Sequence, residues 1–318
     1  MASKKTKPQA ASRRPAIATE KRGGKSARPE PPRISGHWLL GAMAVTVATA
    51  ALCGWGALCL LFWQGSWQLL YHPASAIART PASAGVAFDS IGFAAADDGV
   101  PRLNGWWIPA APGARFDRFT VLYLHGQNGN IGDTVDAIAR LHAAGTNMLD
   151  FDYRGYGQSQ FARPSEAHWR QDAEWAFQYL TATRHISPDT IVLDGSGLGA
   201  NLALQLAAAH PDLAGVVLDS PIEGPVNAVF NDARSQMVPA HLLMHDRYEL
   251  DGPAAAIRIP TLWLGWTAKP GLGGGPAEPE AFAKIATRKM LVWLDASEDA
   301  NKQYADALSR WLDGLPRH

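Results

Sequence analysis

Cysteine is nearly absent: the 318-residue chain has two, Cys53 and Cys59. Both fall in an apolar N-terminal stretch, so the long C-terminal part can form no internal disulfide, and cysteine usage does not identify the compartment. There is no CxxC pair, phosphate loop or dinucleotide glycine motif, so no cofactor and no metal are expected. Charge is absent from residues 34–78, which hold no Asp, Glu, Lys or Arg. Histidine is absent between His245 and the terminal His318. Net charge is absent too, with 29 basic and 29 acidic side chains. That zero hides a partition. Residues 1–33 carry ten basic and two acidic side chains, a net of +8, and the remainder carries 19 basic and 27 acidic, a net of −8. The asymmetry, rather than the sum, bears on function.

Apolar residues make up 47% of the chain and charged residues 18%, which excludes a wholly disordered protein and allows a sizeable core. Residues 38–63 are mostly Leu, Ala, Val, Gly and Trp. About 20 apolar residues in a helix cross a hydrocarbon core, so this stretch predicts a transmembrane helix over 37–66. Trp63, Trp67 and Tyr71 then fall where an aromatic belt would sit. A buried core helix is one competing reading, but core helices are seldom so uniformly apolar. A cleaved signal peptide is the other, with Ala74, Ser75 and Ala76 resembling a cleavage site. The basic region and the apolar stretch are both too long for it. The positive-inside rule places the tail, residues 1–36, in the cytoplasm and the domain of residues 67–318 across the membrane. The tail is rich in Lys, Arg, Ser, Pro and Ala and is expected to be disordered. Its charge suits an anionic inner leaflet. Without interleaved aromatics it does not read as a nucleic-acid binder.

From residue 86 onward, short apolar runs alternate with helical patterns. A hairpin is predicted over 86–93 and 103–109, followed by strands at 119–124, 147–152, 190–193, 215–218, 260–264 and 290–294. Continuous apolar runs of this length fit strands buried on both faces. Trp169, Ala173, Ala176, Phe177 and Leu180 share one helical face, as do Tyr304, Leu308, Trp311 and Leu312. Strand–helix alternation implies a mainly parallel sheet with helices on both faces.

Four motifs then stand in order: LLYHP at 69–73, LNGWWIP at 103–109 after Asp98 and Gly99, LHGQNGN at 124–130, and DYRGYGQS at 152–159. In this order and spacing the chain resembles the α/β-hydrolase superfamily, and more narrowly its membrane-anchored, serine-hydrolase-like branch. The resemblance covers about residues 69–312. It implies an eight-stranded, mostly parallel sheet. It also implies a nucleophile on a sharp turn after the fifth strand, an acid after the seventh and a histidine after the eighth.

The turn pattern is G-x-S-x-G, in which small residues stand two before and two after the nucleophile. This chain reads IVLDGSGLGAN at 191–201. Gly195 and Gly199 fit the flanks, which puts Gly197 at the nucleophile position. Ser196 is the fallback nucleophile, but its flanks would be Asp194 and Leu198, both bulky. The acid position reads Lys269, before the glycine-rich run 271–275. The histidine position reads Glu298 or Asp299. A serine without an imidazole base is not activated by the usual route. Backbone donors of an oxyanion hole are expected at Gln127 and Leu198.

Other polar residues have plainer explanations. Asp219 closes the sixth strand and suits a cap or turn bond. His241 and His245, with Asp246, could make part of a metal site if helical, but a third ligand is not evident. Asp152 with Arg154 is expected to fix the loop after the fourth strand, near Asp150. His125 belongs to the oxyanion strand motif and is expected to be structural. Three readings follow. The first is a membrane-anchored, catalytically degenerate hydrolase fold whose residual pocket binds a small molecule or protein. The second is an active serine hydrolase working on an ester, lipid or amide through Ser196 or a non-standard site. The third is an adaptor acting through the basic tail, which deletion of residues 1–33 would separate from the other two.

Overall fold

The computed structural model describes residues 35–267, 277–295 and 299–316. Its first element is α1, Gly36–Gly65, with no charged residue in its first or last turn. This helix is long and apolar enough to cross a membrane, and only 6% of its most apolar window is buried. That excludes the buried-core reading, because a core helix would be enclosed. The chain divides into two compact units at Leu52 and Cys53. The break falls inside α1, whose C-terminal part belongs to the larger unit. Trp55 Nε1 donates to Met237 O at 3.2 Å, and Phe62 is buried.

The body is built on eight strands: β1 Asp89–Ala95, β2 Pro101–Ile108, β3 Thr120–Leu124, β4 Asn147–Asp152, β5 Ile191–Ser196, β6 Gly215–Asp219, β7 Thr261–Thr267 and β8 Lys289–Asp295. Their order across the sheet is β8-β7-β6-β5-β3-β4-β2-β1. β1 and β2 form an antiparallel hairpin, β2 runs antiparallel to β4, and all other pairs are parallel. Every residue of β3 and β6 is buried, as central strands covered on both faces require.

Helices fill the crossovers. α2, Val135–Ala144, follows a capping box made by Asn130 and Asp133 and stops at Gly145, whose φ of +93° ends it in the left-handed region. α3, Glu166–Gln178, starts where the Ser165 side chain accepts from His168 N. It passes into a π-turn at Tyr179–Thr183 that carries Leu180 of the predicted face. α4, Leu198–Ala209, begins without a side-chain cap, since glycine precedes it. An excursion between β6 and β7 holds four short helices: α5 Pro225–Phe230, α6 Ala233–Gln236, α7 Ala240–Leu243 and α8 Asp251–Ala256. α9, Glu280–Lys284, precedes β8. α10, Ala300–Asp313, is capped by Asp299, whose side chain accepts from Lys302 N.

Alternation along the strands splits the core in two. Leu122, Leu124, Leu193 and Leu218 face α3 and α4, while Val121, Tyr123, Val192 and Val217 face α2 and α10. α4 approaches the sheet so closely that side chains are excluded. A Cβ on Gly199 would lie 2.0 Å from Leu124 O, and one on Gly195 would lie 2.3 Å from Gly199 O. Asp194, between them and the rest of β5, points to the other core. It is fully buried and accepts from Tyr304 OH at 2.5 Å. Burial pushes its carboxyl up to about 7, partly opposed by the Tyr304 bond.

Two outcomes follow from this packing. Gly199→Ala should destabilise the fold by at least about 3 kcal/mol, because backbone carbonyls cannot move aside. Gly252→Ala, on α8 with open space around it, should be neutral or slightly stabilising. Urea unfolding of the full chain in detergent compares them. The second outcome concerns pH. The folded Asp194 carboxyl keeps its proton up to about 7, whereas an unfolded aspartate loses it near 4. The folded state therefore holds the extra proton in between, and stability falls as pH rises through that window. Relative to Asp194→Asn, the native chain should lose roughly 2 kcal/mol of stability between pH 5 and pH 7. Parallel pH dependences of the two proteins would contradict it.

Candidate functional site

β5 ends at Ser196, α4 begins at Leu198, and Gly197 alone makes the turn, with φ 58° and ψ −125°. Only glycine adopts this conformation without strain; other residues would cost on the order of 1–3 kcal/mol there. Gly197 N donates to Asp219 O at 3.0 Å, and Gly197 O accepts from Ala200 N at 3.1 Å. The turn is thus held from both sides. A Cβ on Gly197 would come within 3.1 Å of Gln127 Oε1, a tight contact that a turn of the amide relieves, and no nearer than 3.9 Å to anything else. Unlike Gly195 and Gly199, this position is bounded first by side chains and not by backbone.

The first N–H of α4 meets the same amide. Leu198 N donates to Gln127 Oε1 at 3.3 Å, so a side-chain amide stands where a ligand carbonyl would bind. The Gln127 backbone is fixed separately. Its carbonyl accepts from Tyr156 OH at 2.9 Å and from His72 N at 2.9 Å. Of the two backbone donors expected at Gln127 and Leu198, the Leu198 N–H is occupied by the Gln127 side chain.

Ser196 sits one residue before the turn, in register with Asp219 on β6. Among the described residues no imidazole hydrogen-bonds to it. The imidazoles have other partners: His72 pairs with Asn128, His168 with Arg163 O, and His210 with Glu174. His125 is buried, with Nδ1 at 2.8 Å from Gly126 O and Nε2 at 3.8 Å from Asp152 Oδ1. Burial lowers its pKa to about 4, which keeps it neutral. It lies among Tyr153, Tyr156 and Trp169, with Trp169 stacked on Tyr153 at 4.1 Å. Tyr71 meets Trp169 edge-on at 5.3 Å. Three of the four sequence motifs thus meet in one aromatic cluster beneath the site.

Asp219 Oδ1 accepts from Trp266 Nε1 at 3.1 Å and from Ser220 Oγ at 2.9 Å. Asp150 accepts from the Thr134 hydroxyl, and burial raises its carboxyl well above the usual range. Asp152 and Arg154, the residues expected to fix the loop after β4, have separate partners. Asp152 Oδ1 accepts from Ile131 N at 2.9 Å, and burial pushes its carboxyl up to about 7. Arg154 turns instead to α3, where Nε donates to Asp172 Oδ1 at 2.6 Å. α7 ends at Leu243, so His241 and His245 do not share a helix. His241 lies against Phe230, and Asp246 accepts from Tyr71 OH at 2.8 Å. No group of three or more His, Cys, Asp or Glu arranged for a metal occurs among the described residues. Lys269, the run 271–275 and Glu298 lie outside the described residues, while Asp299 is the cap of α10.

Sequence reasoning missed two side chains. One is the Gln127 amide, whose contact spans 71 positions of sequence. The other is Asn201 on the buried face of α4. It donates to Ile222 O and Tyr248 O and accepts from Ile222 N, tying both ends of the excursion to the turn. A buried asparagine in a helix otherwise built of Leu and Ala was the available signal.

Comparison with known proteins is consistent with this geometry. The model of the family described as serine aminopeptidase, S33, matches residues 117–263. The uncharacterized protein YfhR of Salmonella typhi is 32% identical over 213 residues, covering 62% of this chain and 69% of that protein. The α/β-hydrolase domain-containing protein 17C of Mus musculus is 31% identical over 134 residues, covering 42% of this chain and 40% of that one. An esterase of Pyrococcus furiosus superposes with a TM-score of 0.56 at 16% identity, covering 77% of this chain and 98% of the esterase. With its strand order and its sharp turn after β5, the chain belongs to the α/β-hydrolase superfamily.

Proposed function

We propose that this is a membrane-anchored α/β-hydrolase-fold protein that binds at its former hydrolytic site and does not cleave there. One observation carries the reading: glycine occupies the strained turn where the family's nucleophile stands, with φ 58°. No hydroxyl or thiol projects from that position, so no covalent acyl intermediate can form at it. Lys269 and Glu298, by their sequence positions, replace the acid and the imidazole. No histidine lies between His245 and His318 to take their place. Ser196 lacks both the turn conformation and a base.

What survives is recognition. The Leu198 N–H and the positive end of α4 favour an oxygen ligand. The Gln127 amide that now fills this place makes a neutral bond at 3.3 Å. Such a bond contributes about 1 kcal/mol net, whereas one to a charged acceptor contributes about 1.5–3 kcal/mol. A carboxylate ligand could therefore displace Gln127. The anchor reading rests on α1 and on the charge partition. A basic tail ahead of the span and an acidic body after it favour a cytoplasmic N-terminus and a body across the membrane.

The test is labelling of the full-length protein with a fluorophosphonate probe. The native protein should remain unlabelled. Gly197→Ser should fold with a modest loss of stability and should also remain unlabelled, because a hydroxyl without a base is a poor nucleophile. Labelling of the native protein that Ser196→Ala abolishes would establish an active hydrolase and overturn the proposal.

A further inference from the structure

Outside α1, four large hydrophobic side chains are strongly exposed among the described residues: Val100, Phe161, Met237 and Leu242. Val100 lies at the β1–β2 turn. The other three lie within two residues of a contact with the C-terminal half of α1. Met237 O receives Trp55 Nε1 at 3.2 Å. Arg163, two residues after Phe161, donates through Nη2 to Trp63 O at 2.9 Å. Leu243, next to Leu242, lines a cavity with Trp63 and Arg163. Phe161 is 94% exposed and Leu242 79% exposed. Single exposed hydrophobics are ordinary, but three of four gathered along one apolar helix form a surface.

The length of the helix places that surface. α1 has 30 residues, which at 1.5 Å each span about 45 Å. A hydrocarbon core takes about 30 Å of it, leaving roughly 15 Å, or about ten residues, outside. Trp55 stands ten residues before the end at Gly65. A span of about 20 residues starting after Trp38 ends near Leu58, which puts Trp55 and its partner Met237 at the hydrocarbon edge and Trp63, five residues or about 7.5 Å further on, in the interfacial zone that tryptophan favours. Between this part of α1 and the excursion lies a cavity of about 290 Å³, lined mainly by apolar side chains such as Leu58, Leu61, Leu69 and Met237, with Gln68 and Arg234 among them. Its walls suit acyl chains.

We infer that the excursion segment carrying Met237 and Leu242, together with Phe161, is a membrane-docking surface whose occupant is lipid of the leaflet beside α1. The inference rests on the reading that α1 spans the bilayer and extends it: the body lies on the membrane and does not hang from a tether. Continuity with the apolar helix favours lipid over a protein partner. A soluble partner would have to enter between this face and the bilayer it adjoins.

Single-cysteine variants of the full-length chain test this. Phe161→Cys, Met237→Cys and Leu242→Cys are made in a Cys53→Ala/Cys59→Ala background, beside Val45→Cys within the helix and Val100→Cys on the hairpin. Each is labelled with an environment-sensitive fluorophore and placed in phosphatidylcholine–phosphatidylglycerol vesicles containing spin-labelled lipid. Emission should be blue-shifted and quenched at positions 45, 161, 237 and 242, and neither at 100. Quenching at 45 with positions 161, 237 and 242 behaving like 100 would overturn the docking surface and leave the span standing. Quenching at 161, 237 and 242 but not at 45 would overturn the span alone. Quenching at neither group overturns both.

Discussion

At the end of β5 the fold leaves no room for a side chain. Gly199 lies against the Leu124 and His125 carbonyls, and Gly195 lies against Gly199 O. Helix α4 can start over the sheet edge only because both positions are glycine. The sharp turn, the aim of the Leu198 N–H and the placing of Asn201 beneath the excursion all depend on that approach. The same constraint applies whether or not a nucleophile stands between the two glycines. A protein can therefore keep this turn for the sake of its fold after chemistry at it has gone.

The residues around the turn support this separation of fold from chemistry. Tyr71, His125, Tyr153, Tyr156 and Trp169 form one buried aromatic cluster. Each edge-on or stacked aromatic pair contributes about 0.5–1.5 kcal/mol beyond its buried area. Such residues persist for packing. Gln127 differs. Its main chain is fixed by Tyr156 and His72, yet its side chain is free to enter the space beside Gly197. With a serine side chain there, the amide would face a crowded position, since a Cβ alone comes within 3.1 Å of it. Glycine at 197 and the Gln127 amide beside it belong to one geometry.

Much of this could be read from the sequence, and what could not be read has a common cause. Runs such as TVLYL in β3 and GVVLD in β6 are apolar throughout because both faces are covered, so they stand out without context. Gly195 and Gly199 were legible because close approach leaves one residue type, and Gly197 because it stands midway between them. Contacts between distant segments were not. Arg154 was expected, with Asp152, to fix the loop after β4. It pairs with Asp172, because Asp152 points inward to the Ile131 amide while Arg154 lies over α3. His241 and His245 have helical spacing, but α7 stops at Leu243, and spacing alone does not show where a four-residue helix ends. Asn201 carried a signal in being polar among Leu and Ala, but its partners lie 21 and 47 positions away.

The charge partition gives the last step of the argument. Sequence places every charge of the tail before residue 34 and the next charge at Arg79. Arg79 forms a bidentate pair with Asp136 on α2, so the first cation after the apolar stretch is already committed to the body. The long uncharged segment therefore covers more than α1. It includes the short connection at 66–71 and Tyr71 in the aromatic core. From Trp55 onward α1 meets protein, through Met237 O and the burial of Phe62, and a charge facing that surface would lose its hydration. If α1 spans the bilayer as proposed, its first part excludes charge for the sake of lipid and its last part for the sake of packing.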